Sequence, residues 1–168
     1  VVYHTGSHYP KHQPGFTLVK DAVSLVILPS LLTQDILMLI EAPISLGELI
    51  DKITILEIKS DNISDAEKLK NVRHELNVLN AKVETLLDTE GKARLAPLQQ
   101  TLKSINQELW VIEDDIRDCE FAKDFGPKFI ELARAVYVTN DKRANTKKDI
   151  NLAFGSELIE EKSYKDYQ

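Results

Sequence analysis

Two apolar runs in this chain step alternately by three and four residues, and no other feature restricts the fold as strongly. The first is Leu69, Val72, Leu76, Leu79, Val83 and Leu86; the second is Leu95, Leu98, Leu102, Ile105, Leu109, Ile112, Ile116 and Cys119. Residues spaced in this way share one face of an α-helix and must be covered. Folding the chain back at Glu90-Gly91 sets Leu86 opposite Leu95, Val83 opposite Leu98, Leu79 opposite Leu102, Leu76 opposite Ile105, Val72 opposite Leu109 and Leu69 opposite Ile112. The expectation is an antiparallel helical hairpin with a heptad seam, its turn near Gly91, and Pro97 tolerated in the first turn of its second helix.

Flanking signals extend this hairpin to a four-helix, bundle-like, all-α domain. Ser45 and Glu48 have capping-box spacing and predict a helix over 46–60, whose apolar residues occupy more than one face and so need cover on two sides. Ser64 with Glu67 repeats the box before the first seam. Gly126-Pro127 ends one helix and opens another, which Gly155 stops. The tail from Ser156 to Gln168 carries Leu158, Ile159, Tyr164 and Tyr167 among charges and is expected to dock on the bundle or on a partner.

With 168 residues, 43% of them apolar, a core forms without disulfides or metal. Acids outnumber bases 27 to 21, which argues against general binding to nucleic acid or anionic membranes. The single cysteine, Cys119, permits no internal disulfide and fits a reducing, cytoplasmic setting. Ahead of the helices, His4, His8 and His12 lie among Gly6, Pro10 and Pro14, which oppose the helix that metal binding at that spacing would need. The apolar run from Ala22 to Ile40 is broken by Pro29, Gln34 and Asp35 and does not read as a membrane span. Met38 is the only methionine, and the domain organisation expected from it is an N-terminal extension over 1–37 and a helical domain over 38–168.

Beside the second seam runs a polar stripe, Asn106, Trp110, Glu113 and Arg117, at steps of four, three and four. Folding the last helix back brings Asn140 opposite Trp110 and Arg143 opposite Asn106, while the first helix adds Asp51 and Lys52. Such a set forms either a polar pocket between helices or interhelical pairs that fix packing, and the second is the commoner arrangement. Asp114, Asp115 and Asp118 spell the D-D-x-x-D of isoprenoid synthases, but with no second acidic motif they read as a solvated face. Glu48 with Asp51 and Glu157 with Glu160 have the spacing seen in helical pyrophosphohydrolases, a pattern frequent in any charged helix. No metal and no cofactor is expected.

The segments Ser45-Leu-Gly-Glu-Leu-Ile-Asp-Lys-Ile-Thr-Ile-Leu-Glu-Ile-Lys59, Ile105-Asn-Gln-Glu-Leu-Trp-Val-Ile-Glu-Asp-Asp-Ile-Arg117, Leu132-Ala-Arg-Ala-Val-Tyr-Val-Thr-Asn-Asp-Lys-Arg143 and Leu158-Ile-Glu-Glu-Lys-Ser-Tyr164 resemble a small bacterial family of uncharacterised helical proteins, from about Met38 to Tyr167. The resemblance implies no activity and assigns no catalytic residue. The functional expectation is a non-enzymatic cytoplasmic interaction module, a homo-oligomer or the partner of another protein. The alternative is a small all-α enzyme acting on a phosphorylated or carboxylated metabolite, pyrophosphohydrolase-like or chorismate-mutase-like.

Overall fold

A computed structural model describes residues 40–163, and the helices belong to the unit beginning at Glu41. The expectations for residues 1–37, and those for Tyr164 and Tyr167, fall outside the described residues. Four helices follow in order: α1 (Leu46–Asn62), α2 (Ala66–Leu86), α3 (Thr89–Ala122) and α4 (Pro127–Ala153). None among the described residues is long and apolar enough to cross a membrane.

Local chemistry sets the boundaries. Ser45 caps α1 by accepting from the Glu48 backbone N–H at 3.2 Å. Asp65 caps α2 and accepts from the Lys68 N–H at 2.9 Å, so the helix opens one residue later than the Ser64 box implied. Asp88 caps α3 and accepts from the Gly91 N–H at 2.8 Å. The turn between α2 and α3 therefore falls at Leu87–Asp88, earlier than Gly91, and Pro97 lies well inside α3 rather than in its first turn. Pro97 and Ala93, whose carbonyl loses its helical donor there, are both exposed, so the interruption lies on the solvent side of α3. α3 stops where Lys123 enters the left-handed region at φ 54°, and Pro127 starts α4.

The two seams enter one core cluster, and residues of α1 join them there. No Cα of α2 comes within 8 Å of one in α3, and these two helices meet through side chains, Glu84 pairing with Lys92 at 2.7 Å, whereas α1 packs closely against α2, α3 and α4 alike. Gly47 meets Lys147 and Asn151, and Asp51 meets Arg143, so α1 runs antiparallel to α4. Arg94 with Ala153 and Glu108 with Thr139 make α3 antiparallel to α4 as well, hence parallel to α1. The seam residues Val83, Leu95 and Leu102 converge on Leu49, Ile50 and Ile53 of α1, with Leu76, Leu79 and Leu98 at the margin. At the far end Leu86 is 56% exposed and closes no seam. α1 is thus the central rod, and Ile50, Ile53, Leu102 and Ile150 are essentially dry, each worth roughly 1.5 to 3 kcal/mol in burial.

One backbone contact fixes the separation of α1 and α4. The Gly47 N–H donates to Asn151 Oδ1 at 2.7 Å, and a Cβ at position 47 would sit 2.5 Å from the Lys147 carbonyl oxygen. That neighbour is helical backbone and cannot swing aside. Gly47→Ala is therefore expected to cost about 1 to 3 kcal/mol by overpacking, even though alanine favours helix, which urea denaturation measures.

Candidate functional site

The centre of the bundle holds a charge. Asp51 is 3% exposed, and its carboxylate accepts Arg143 Nε at 2.8 Å on one oxygen and Arg143 Nη2 at 2.5 Å on the other. Asn106 Nδ2 on α3 donates to the same Asp51 carboxylate at 2.9 Å and to Thr54 Oγ1 at 2.9 Å, and the Thr54 hydroxyl donates to the Asp51 carbonyl. Arg143 Nη1 donates to Asn140 Oδ1 at 3.3 Å. One network thereby joins α1, α3 and α4, and every charged oxygen within it has a donor. The hydrogen bond to Asp51 is the main reason that the Arg143 guanidinium is held above its ordinary range, working against burial.

A cleft of about 550 Å³ opens above this network. Asn106, Trp110, Glu113, Arg117, Asn140 and Arg143 line it, together with Ile55, Lys59, Leu109 and Asp114. Asp51 lies beneath as the anchor of Arg143. Lys52 is elsewhere: its ammonium reaches α2 and pairs with Glu75 at 2.6 Å, because the residue after the inward-facing Asp51 points about 100° around the helix. Glu113 and Arg117 pair with each other at 2.9 Å, one helical turn apart. Asp114 faces the cleft rim, while Asp118 is solvated. Among the described residues, no three His, Cys, Asp or Glu side chains gather as metal ligands would.

Sequence reasoning passed over Lys59, a cleft cation that makes no ion pair among the described residues, and Thr54 and Asn151, whose polar side chains are 0% and 2% exposed. Thr54 leaves a trace as the one hydroxyl in an isoleucine-rich stretch. A second charged node lies beside the first. Lys147, 8% exposed, pairs with Glu48 of α1 and with Glu160 at 2.7 Å. Lys148 pairs with Glu161 at 3.1 Å and Lys162 reaches Asp141, so the segment after Gly155 runs back along α4. Lys147 is raised: burial lowers it, but the hydrogen bonds to Glu160 and Glu48 outweigh that. Glu160 is lowered, chiefly by its bond to Lys147.

Two predictions come from these nodes. Arg143→Met strands a buried carboxylate and is expected to cost about 3 to 5 kcal/mol, whereas Asp51→Leu combined with Arg143→Met should recover most of the loss, as urea titrations of both variants will show. For the tail, Glu160 contributes stability above its ordinary value of 4.5 and loses it as pH falls through its depressed one. Lys147 contributes below 10.5 and loses that as pH rises through its elevated value. Cleavage after Lys162 by a protease active in acid should thus accelerate below pH 4.5, and Glu160→Gln should remove that acceleration.

Residues 40–167 match the family described as a family of unknown function, DUF6165. No curated protein and no solved structure matches the chain. All four helices, the cleft and the described tail fall within the matched span, and the chain belongs to the family of unknown function DUF6165.

Proposed function

We propose that this domain is a non-enzymatic binding module: its cleft takes a small ligand bearing a carboxylate or phosphate, and the domain works as a self-associating unit. The observation that carries the ligand reading is the posture of Arg143. Asp51 and Asn140 together engage three of its five N–H groups, so the guanidinium is locked at the cleft wall with donors to spare. Lys59 adds a second cation, and the indole of Trp110 offers a flat apolar wall. A ligand acid held there would meet fixed donors rather than mobile surface lysines, which lowers the entropy cost of binding.

An enzymatic reading would require a poised acid or base. Asp51 is committed to Arg143 and Glu113 to Arg117, which leaves Asp114 at the rim as the carboxylate for such a role. Binding without turnover is the reading that more of the cleft supports. The self-associating half rests on Phe121, Phe125 and Ile130, which are 91%, 52% and 57% exposed where α3 passes into α4. A cytoplasmic setting fits the lone, buried Cys119 thiol.

Trp110 is the only tryptophan in the chain, so intrinsic fluorescence reads the cleft directly. Titration with inorganic pyrophosphate, ADP, citrate and phosphoglycerate is expected to give a saturable change with at least one, weakened about tenfold by Lys59→Gln. At 100 times its dissociation constant such a ligand should also stabilise the protein by about 2.7 kcal/mol. No change with any of them, in fluorescence or in melting temperature, would refute the ligand reading.

A further inference from the structure

The self-associating half of that reading names no surface, and one face of α4 supplies it. Pro127, Ile130, Glu131, Arg134, Ala135 and Val138 line an apolar groove of about 490 Å³ on the side of the hairpin end that solvent reaches. Their spacing is a single helical stripe, three and four residues at a step. Ile130 is 57% exposed, although it has the largest apolar side chain in the stripe. Glu131 and Arg134 are both exposed and, among the described residues, neither makes an ion pair within the chain.

We infer that the occupant of this groove is a second copy of the same chain, docked with its α4 antiparallel across a twofold axis that passes between Leu132 and Ala133. Any helical stripe is symmetrical in spacing about such an axis; the residue types are what distinguish this one. The twofold sets Ile130 against Ala135 of the second copy, a large side chain against a small one, which lets the helices interdigitate. Pro127 faces Val138, apolar against apolar. Glu131 faces Arg134, so both charges that lack an internal partner gain one, twice over by symmetry. The acid and the base of this stripe are thus complementary to a second copy of the same stripe.

A stable interface buries about 800 Å² on each side, more than one short helical stripe supplies. Phe121 and Phe125 stand at the same end of the α3–α4 hairpin and offer the additional apolar area. Phe125 is itself held edge-on against Phe129, with centroids 5.3 Å apart, so it presents a rigid surface. The inference rests on the self-association reading and is independent of the cleft.

Sedimentation equilibrium of the full chain tests it. The expected result is a concentration-dependent dimer. Arg134→Glu alone and Glu131→Arg alone, each placing like charges together at two symmetrical points, should raise the dissociation constant about tenfold or more. The double reversal, Glu131→Arg with Arg134→Glu, should restore the wild-type value. Both sites are exposed, so circular dichroism is expected to be unchanged in every variant, which excludes misfolding as the cause. A monomer at several hundred micromolar would overturn both this inference and the self-association reading. A dimer that ignores the single reversals, or that the double reversal fails to restore, would overturn this inference alone.

Discussion

The bidentate pair between Asp51 and Arg143 governs the arrangement of the bundle. Asp51 stands on the most deeply buried helix, and an ionised carboxylate there is tolerable only with a cation and further donors in place. Arg143 comes from α4 and Asn106 from α3, so the requirement can be met only when α1, α3 and α4 share one axial register. Apolar faces alone would let α1 slide by a turn along the groove at modest cost. The charge makes such a slip expensive, because a shifted α1 would leave the carboxylate unpaired. Specification of register is the best-attested use of buried ionic groups.

The same pair connects the core to the cleft. A guanidinium fixed from below by a buried carboxylate faces outward as a preorganised donor, and no loop has to move to form it. Trp110 and Asn140 take their places around it because both helices that carry them are clamped to α1. One edge of the Arg143 guanidinium thus ties the helices together while the same group lines the cleft.

Much of this was legible in the sequence, with one instructive exception. Helix number, the N-termini of α1, α2 and α4 to within a residue, and the stripe Asn106, Trp110, Glu113, Arg117 all follow from spacing and side-chain chemistry, because these are local properties. Periodicity also identified the apolar faces of α2 and α3. It did not show that α1 shares their cover: the two heptad runs enter one core cluster, and α1, with apolar residues all round its axis, is the helix that occupies its centre. Lys52 was misplaced for a related reason, since adjacency in sequence to Asp51 puts it on a different face. Periodicity puts Asn151 on the inward face of α4 but not its bond to Gly47, and Lys59 is set apart only by the cleft that α3 and α4 form beside it.

The position of α2 has a consequence for how the domain opens. Its Cα atoms come close only to those of α1, it meets α3 through the Glu84–Lys92 pair and the cluster around Val83, and Val83, 9% exposed, is its one buried side chain. α1, α3 and α4 in contrast hold one another in a closed triangle. Thermal fluctuation that lifts α2 breaks its packing on α1 and its lighter side-chain contacts with α3, less than lifting any other helix, so α2 is expected to be the domain's cooperative unit of lowest stability. Its two short connections, at Ile63–Asp65 and Leu87–Asp88, keep it tethered when it lifts. What such an opening uncovers is the second face of α1, a strip of isoleucine and leucine that is hidden in the resting fold and accessible only for as long as α2 is away.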